Sequence, residues 1–217
     1  TLGNVLHAIM HRLYTPYIGQ QITNSTIEGL LRLVNDDAYW ASLAPLQDLK
    51  GDRLAEKVVR TYVNNILHYD YTCTPFQLLA AEQPIRVVLP NNMTINGTLD
   101  RLDIKADIVR VVDYKTGKAD LNYSSMADVF GVMPPAEGET YALRKQGNTY
   151  ILQTMLYCWI LSEQYPNLTP HIYATRRLSD ATTCSHVYTK GTETPVIFDE
   201  QIKKEFNDAL ASYEEEI

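Results

Sequence analysis

The chain has 217 residues, with 19 Lys and Arg against 26 Asp and Glu, giving a net charge of −7. With 45% hydrophobic and 21% charged residues, the composition is that of a globular protein and excludes a disordered, collagen-like or coiled-coil chain. No apolar run approaches the ~18 residues that span a bilayer, and Cys73, Cys158 and Cys184 stand too far apart in sequence for a disulfide framework or a cysteine-built metal site.

The length implies one domain over residues 1–217, and the cysteine usage implies a reducing cytoplasm. Thr1 leads directly into a helical pattern and the last residues also read as helix, so a domain excised from a longer polypeptide is expected. Leu2, Val5, Leu6, Ile9, Met10 and Leu13 recur at three- and four-residue steps and predict an amphipathic helix. Ile27, Leu30, Leu31 and Val34 predict a second, and Asp52 can cap a third running from Leu54 to Leu67. The period then changes. Ile85–Leu89 reads as a short strand ended by Pro90-Asn91-Asn92, and Met93–Ile104 as a second strand interrupted by Gly97. Lys105-Ala106-Asp107 is a tight turn into Ile108–Tyr114, the strongest strand pattern of the chain. These three strands predict an antiparallel meander.

Residues 119–148 have no clean period and contain Gly131, Pro134-Pro135, Gly138 and Gly147, which suggests a surface excursion. Tyr150–Tyr165 returns to a helix, stopped by Pro166. His171–Leu178 and Cys184–Thr189 read as strands, and Asp199 caps a final helix. The order predicts an α/β fold: a mixed central sheet with an antiparallel meander, flanked by helices.

Chemistry concentrates at the end of the strongest strand. Asp113 and Lys115, two apart on a strand, project from one face about 6–7 Å apart at the backbone. That arrangement suits metal-assisted hydrolysis, the carboxylate holding a hard cation and the ammonium neutralising developing charge. The Asp-x-Lys pattern alone is uninformative, since it also occurs at Asp48-Leu49-Lys50 and Asp103-Ile104-Lys105. Its neighbour adds information. Asp100, in Gly97-Thr98-Leu99-Asp100, lies 13 residues upstream. Pairing through a turn centred on Ala106 sets Asp100 and Asp113 nearly opposite each other. Two carboxylates so close repel unless a cation or proton lies between them. From spacing alone, a cation site and two aspartates salt-bridged to Arg101 and Lys115 both remain open.

Gly97-Thr98-Leu99-Asp100-Arg101-Leu102-Asp103 followed by Val111-Val112-Asp113-Tyr114-Lys115-Thr116-Gly117-Lys118 resembles the core of the PD-(D/E)XK nuclease superfamily. The likeness is greatest to the RecB/AddB-type nuclease domains of bacterial helicase–nucleases, and it implies a restriction-endonuclease-like core. It also implies a DNA exonuclease using Mg²⁺ or Mn²⁺, in which Asp100 and Asp113 bind metal, the Tyr114 carbonyl is a further ligand and Lys115 is catalytic. Gly3-Asn4-Val5-Leu6-His7 resembles the family element whose histidine completes the metal shell, here His7. Gln153-Thr154-Met155-Leu156-Tyr157 resembles the family's Gln-x-x-x-Tyr element, with Gln153 and Tyr157 on one helix face, able to hold the lysine or a phosphate. Glu82 occupies a looser acidic position before the first meander strand.

Many such relatives carry four cysteines around an iron–sulfur cluster; this chain offers no such set, so none is expected here. The resemblance implies DNA as substrate and a helicase region or subunit as partner, with a role in DNA repair and recombination. No Gly-x-x-x-x-Gly-Lys-Ser/Thr loop for ATP occurs in the chain. A catalytically idle DNA-binding or helicase-bracing module of the same fold is the alternative, disfavoured by the complete acidic pair, lysine and Gln-x-x-x-Tyr. Candidate DNA contacts are Arg86, Arg101, Lys105, Arg110 and Lys118 near the meander, Arg144 and Lys145 in the excursion, and Arg176 and Arg177 on a late strand. His11, one helical turn beyond His7, reads as an ordinary helix histidine, and His68, His171 and His186 have no acidic partner at an interpretable spacing.

Overall fold

The computed structural model describes residues 1–131, 148–178 and 184–215. Helix α1 (Leu2–Tyr14) starts at Thr1, whose hydroxyl accepts the Asn4 N–H, and buries Val5, Leu6, Ile9, Met10 and Leu13 along one stripe. At about 1.5–3 kcal/mol for each large apolar side chain taken from water, that stripe anchors the helix to the sheet. Then follow β1 (Gln21–Ile22), α2 (Asn24–Asn35), α3 (Asp37–Ala41) and α4 (Arg53–Cys73). Asp52 caps α4 by accepting the N–H groups of Leu54 and Ala55 at 3.0 Å each.

Strands β2 (Phe76–Val88), β3 (Thr94–Lys105), β4 (Ile108–Lys115) and β6 (Leu168–Ala174) make the sheet with β1, in the order β1-β2-β3-β4-β6. All neighbours are antiparallel except β4 and β6, which run parallel. A small parallel pair joins β5 (Asn122–Tyr123) to β7 (Tyr188–Thr189), and α5 (Met126–Phe130), α6 (Thr149–Leu161) and α7 (Glu200–Glu215) complete the described elements. One core lies between the sheet and α1, α2 and α4; the other lies between the sheet and α5, α6 and α7. This is the mixed α/β fold expected from the order of elements.

The turn between β3 and β4 holds two residues, Ala106 and Asp107, both at positive φ (50° and 63°), and pairs Lys105 with Ile108. A primed turn of this kind matches the twist of a hairpin. It shifts the expected pairing by half a residue. With Arg101 opposite Val112, the register carries Asp100 directly opposite Asp113.

Several sequence-based boundaries need correction. The first meander strand begins at Phe76, nine residues before the expected Ile85, because β-rich alternation is broken by a register shift between Leu78 and Ala80. The late strand ends at Ala174, leaving Arg176 and Arg177 exposed in a turn. The expected strand at Cys184–Thr189 is reduced to β7 plus one bridge at His186. The first part of the expected excursion is not surface: Ala119, Leu121, Tyr123, Met126, Val129 and Phe130 are buried in the core under α6 and α7. Their apolar side chains come at irregular steps, because a strand pair and a single helical turn follow each other within a dozen residues. Residues 132–147, with Arg144 and Lys145, lie outside the described residues.

Candidate active site

A cleft of about 680 Å³ opens where α1, the β2–β3 ribbon, the end of β4 and α6 meet. The apolar stripe of α1 turns His7 toward it. Strand alternation turns Asp113 and Lys115 toward α6, while Val112 and Tyr114 face the opposite core. Along the β2–β3 ribbon the alternation breaks: Leu99 and Leu102, three apart, are both buried against the α6 side. At the same level Glu82 sits at φ 49°, a backbone state costly for a residue with a Cβ. The ribbon twists there, and the twist sets Glu82 and Asp100 at the cleft edge rather than in either core. Glu82 is therefore well inside a strand, not before one as the sequence suggested.

His7 Nδ1 lies 3.0 Å from Asp100 Oδ1 and 3.7 Å from Glu82 Oε1, and Nε2 lies 3.0 Å from the Tyr114 carbonyl. Both near neighbours are acceptors, so the doubly protonated ring satisfies both. Burial opposes that charge, but the bond and charge of Asp100, the Tyr114 carbonyl and the charge of Asp113 together raise the His7 pKa. The other Asp100 oxygen accepts the Tyr114 N–H at 2.7 Å. Asp113 is buried, and burial with the neighbouring Asp100 charge pushes its carboxyl up to about 7, against the opposing pull of Lys115. Glu82 is raised too, by burial and then by Asp100.

Lys115 Nζ forms an ion pair with Asp113 Oδ2 at 2.8 Å and donates to Gln153 Oε1 at 2.9 Å. Gln153 Nε2 in turn donates to the Tyr157 hydroxyl at 2.8 Å. A Cβ on Gly97 would come within 3.0 Å of that hydroxyl, so the glycine is what lets α6 approach the ribbon. The Tyr150 ring lies 5.0 Å from the Lys115 ammonium. Tyr150 carries no motif signal; only its helical spacing from Gln153, three residues on, could have suggested it.

These donors fit a divalent cation. Ligand atoms about 2.1 Å from Mg²⁺ at right angles stand about 3 Å apart, which is the separation of His7 Nδ1 from Asp100 Oδ1; the Tyr114 carbonyl faces the other ring nitrogen, Nε2. Among the described residues, His7, Glu82 and Asp100 each offer a donor within 4.8 Å of the other two. Asp113 Oδ2 is buried and already faces the Lys115 ammonium at 2.8 Å.

The cation candidates divide sharply. Arg101 is wholly buried and paired with Asp70, and Arg110 is buried and paired with Asp103 at 2.6 and 2.9 Å, so neither faces DNA. Lys105 donates to the Cys73 carbonyl at the far end of β3 from the cleft. All three lie on the α1/α4 face or the far strand end. Arg86, Lys118, Arg176 and Arg177 are exposed, Arg176 also donating to the Tyr62 hydroxyl. His11 lines the cleft beside His7, one helical turn on.

A family model of the PD-(D/E)XK nuclease superfamily matches residues 1–216. The chain belongs to that superfamily, whose members are nucleases that hydrolyse phosphodiesters with divalent metals. A comparison with curated proteins found no match. Among the described residues no helix is long and apolar enough to cross a membrane.

Proposed function

We propose that the chain is a DNA exonuclease domain of the RecB/AddB type, using Mg²⁺ or Mn²⁺ and working in the cytoplasm with a helicase region or subunit in DNA repair and recombination. The observation that carries the nuclease reading is the meeting of His7, Glu82, Asp100, Asp113 and Lys115 in one cleft. The exonuclease and helicase context rest on the likeness of the Gly97–Lys118 segment to those domains.

In this reading His7, Asp100, Asp113 and the Tyr114 carbonyl hold the ion, with Glu82 as a further carboxylate. A divalent ion held there would supply positive charge to the phosphodiester and would acidify a water. Lys115, held between Asp113 and Gln153, meets the charge that develops on the phosphate. Gln153, itself bonded to the Tyr157 hydroxyl, fixes the position of the ammonium beside Asp113. Lys118, Arg176 and Arg177 sit beyond the ends of the parallel strands β4 and β6, and with Arg144 and Lys145 would contact the DNA backbone.

The test is digestion of linear and covalently closed DNA in Mg²⁺, Mn²⁺ or chelator. Metal-dependent loss of linear DNA, with closed circles spared, is expected. Nicking of closed circles would refute the exonuclease assignment, and metal binding without cleavage of any DNA would identify an idle module.

A further inference from the structure

On the α1/α4 face of the sheet, directly behind the cleft, lies a second charged cluster. Asp70 of α4 and Arg101 of β3 are each 0% exposed. Arg101 clasps Asp70 with two bonds, at 2.7 and 2.9 Å. The hydroxyls of Tyr14 and Tyr173 donate to Asp70 at 2.5 and 2.9 Å. Arg101 also donates to the hydroxyls of Tyr114 at 3.2 Å and Tyr173 at 2.8 Å. The rings of Tyr14, Phe76, Tyr114 and Tyr173 surround its guanidinium at 5.0–5.8 Å. Asp103, 3.0 Å from Arg101 Nε, is shared with Arg110.

A buried ion pair like this is a poor source of net stability, since apolar side chains of similar volume often serve as well or better. Its connections are more telling. The elements that carry His7, Asp100, Asp113 and Lys115 all enter it: α1 through Tyr14, β3 through Arg101, β4 through Tyr114. The β3–β4 ladder ends at Arg101 and Val112, one step short of Asp100 and Asp113. Past that point the strands are joined by the Tyr114 N–H reaching Asp100 on one side and by Arg101 reaching the Tyr114 hydroxyl on the other. Arg101 and Asp100 are adjacent, as are Tyr114 and Asp113, so a shift of either buried side chain moves a cleft carboxylate.

We propose that the Asp70–Arg101 hub is a positioning device that sets the separation of Asp100, Asp113 and the Tyr114 carbonyl for a divalent cation. This rests on the reading of those groups as metal-holding. The test is calorimetric titration of Mn²⁺ into metal-free protein without DNA, with thermal unfolding run in parallel. The proteins are wild type, the apolar double variant Asp70→Leu/Arg101→Met, Arg101→Lys, and Thr169→Val as a control. Thr169→Val removes a buried hydroxyl bond to the Val196 carbonyl at the other end of β6.

Loss of a supporting partner behind a metal ligand commonly costs 10–100-fold in affinity. About tenfold weaker Mn²⁺ binding is expected in the double variant while it unfolds as a single cooperative transition. Arg101→Lys, which keeps the charge but not the two-pronged clasp, should fall between it and wild type. The control should lose stability without losing affinity. Wild type that binds no Mn²⁺ would refute the metal reading, and the hub's role with it. Wild type that binds, with both folded variants within twofold of it, would overturn the hub's role alone. Failure of both variants to fold would make the hub a folding requirement and equally overturn a separable positioning role.

Discussion

Asp113→Asn isolates the cost of holding two carboxylates opposite each other without a cation. Burial and the Asp100 charge push the Asp113 carboxyl up to about 7, against an ordinary value of about 3.9. The native state therefore binds a proton that the unfolded chain has released. Stability supplied by the protonated form is fully present below about pH 4, falls as pH rises to about 7, and is flat above. At about 1.4 kcal/mol per pH unit, the larger part of that loss in the metal-free wild type falls between pH 5 and pH 8. Asparagine mimics the neutral carboxyl at every pH. Its advantage over wild type should therefore grow by roughly 2–3 kcal/mol between pH 5 and pH 8. Glu82, also raised, owes nothing to Asp113 and cancels in the difference, whereas His7 loses the Asp113 contribution in the variant, so its pKa is lower there and the measured difference reports the Asp113–His7 pair together. The assay is urea unfolding of both proteins in chelator at the two pH values, then with Mn²⁺ restored. Mn²⁺ should stabilise wild type at pH 8 and leave the variant little changed. An advantage that is the same at both pH values, or a variant less stable than wild type at pH 8, would refute the reasoning.

Lys115→Ala should lower turnover by at least about 100-fold while DNA affinity stays within about threefold, because the ammonium is placed for charge that develops in the reaction; cleavage rates at saturating DNA and equilibrium binding check this. His7→Ala should weaken Mn²⁺ binding more than Mg²⁺ binding, since imidazole suits Mn²⁺ and Mg²⁺ prefers oxygen; equal Mn²⁺ affinity of variant and wild type at pH 8 would remove His7 from the metal shell. Ala106→Asn should stabilise the protein by about 0.5–1 kcal/mol, since asparagine tolerates the positive φ of the primed turn better than alanine; denaturant unfolding measures it, with cleavage unchanged.

Much of the fold was legible because one face of each long element is apolar. The stripe of α1, the Asp52 cap of α4 and the unbroken run of β4 are local signals, and tertiary packing uses them as they stand. Elements set by tertiary context were not legible. The start of β2 at Phe76 depends on pairing with β3, and a shift in that pairing breaks the alternation at Leu78–Ala80. The burial of Leu121, Tyr123 and Val129 depends on α6 and α7, which approach from far along the chain. The half-residue error in the β3–β4 register came from treating Lys105-Ala106-Asp107 as a three-residue turn when two residues at positive φ suffice.

Asp100, Asp113 and Lys115 line one cleft as their spacing on adjacent strands predicted, whereas His7 and Gln153, which line it from α1 and α6, were expected only from the family resemblance. The same reasoning failed for charge. Arg101 and Arg110 look like solvent-facing cations in a β-strand, yet both are buried, because Asp70 and Asp103 meet them across the sheet face. A partner 31 residues away on α4 leaves no periodic trace, and a lone Asp in the helix run Asn65-Ile66-Leu67-His68-Tyr69-Asp70 reads as a polar face. One local sign was available. Gly97-Thr98-Leu99-Asp100-Arg101-Leu102-Asp103 breaks strand alternation at Leu99 and Leu102, and a break in period inside a strand signals a change of face. At that break the chain turns one carboxylate, Asp100, toward the cleft and the next cation, Arg101, into the core. A single twist of the ribbon thus separates the carboxylate that lines the cleft from the guanidinium buried behind it.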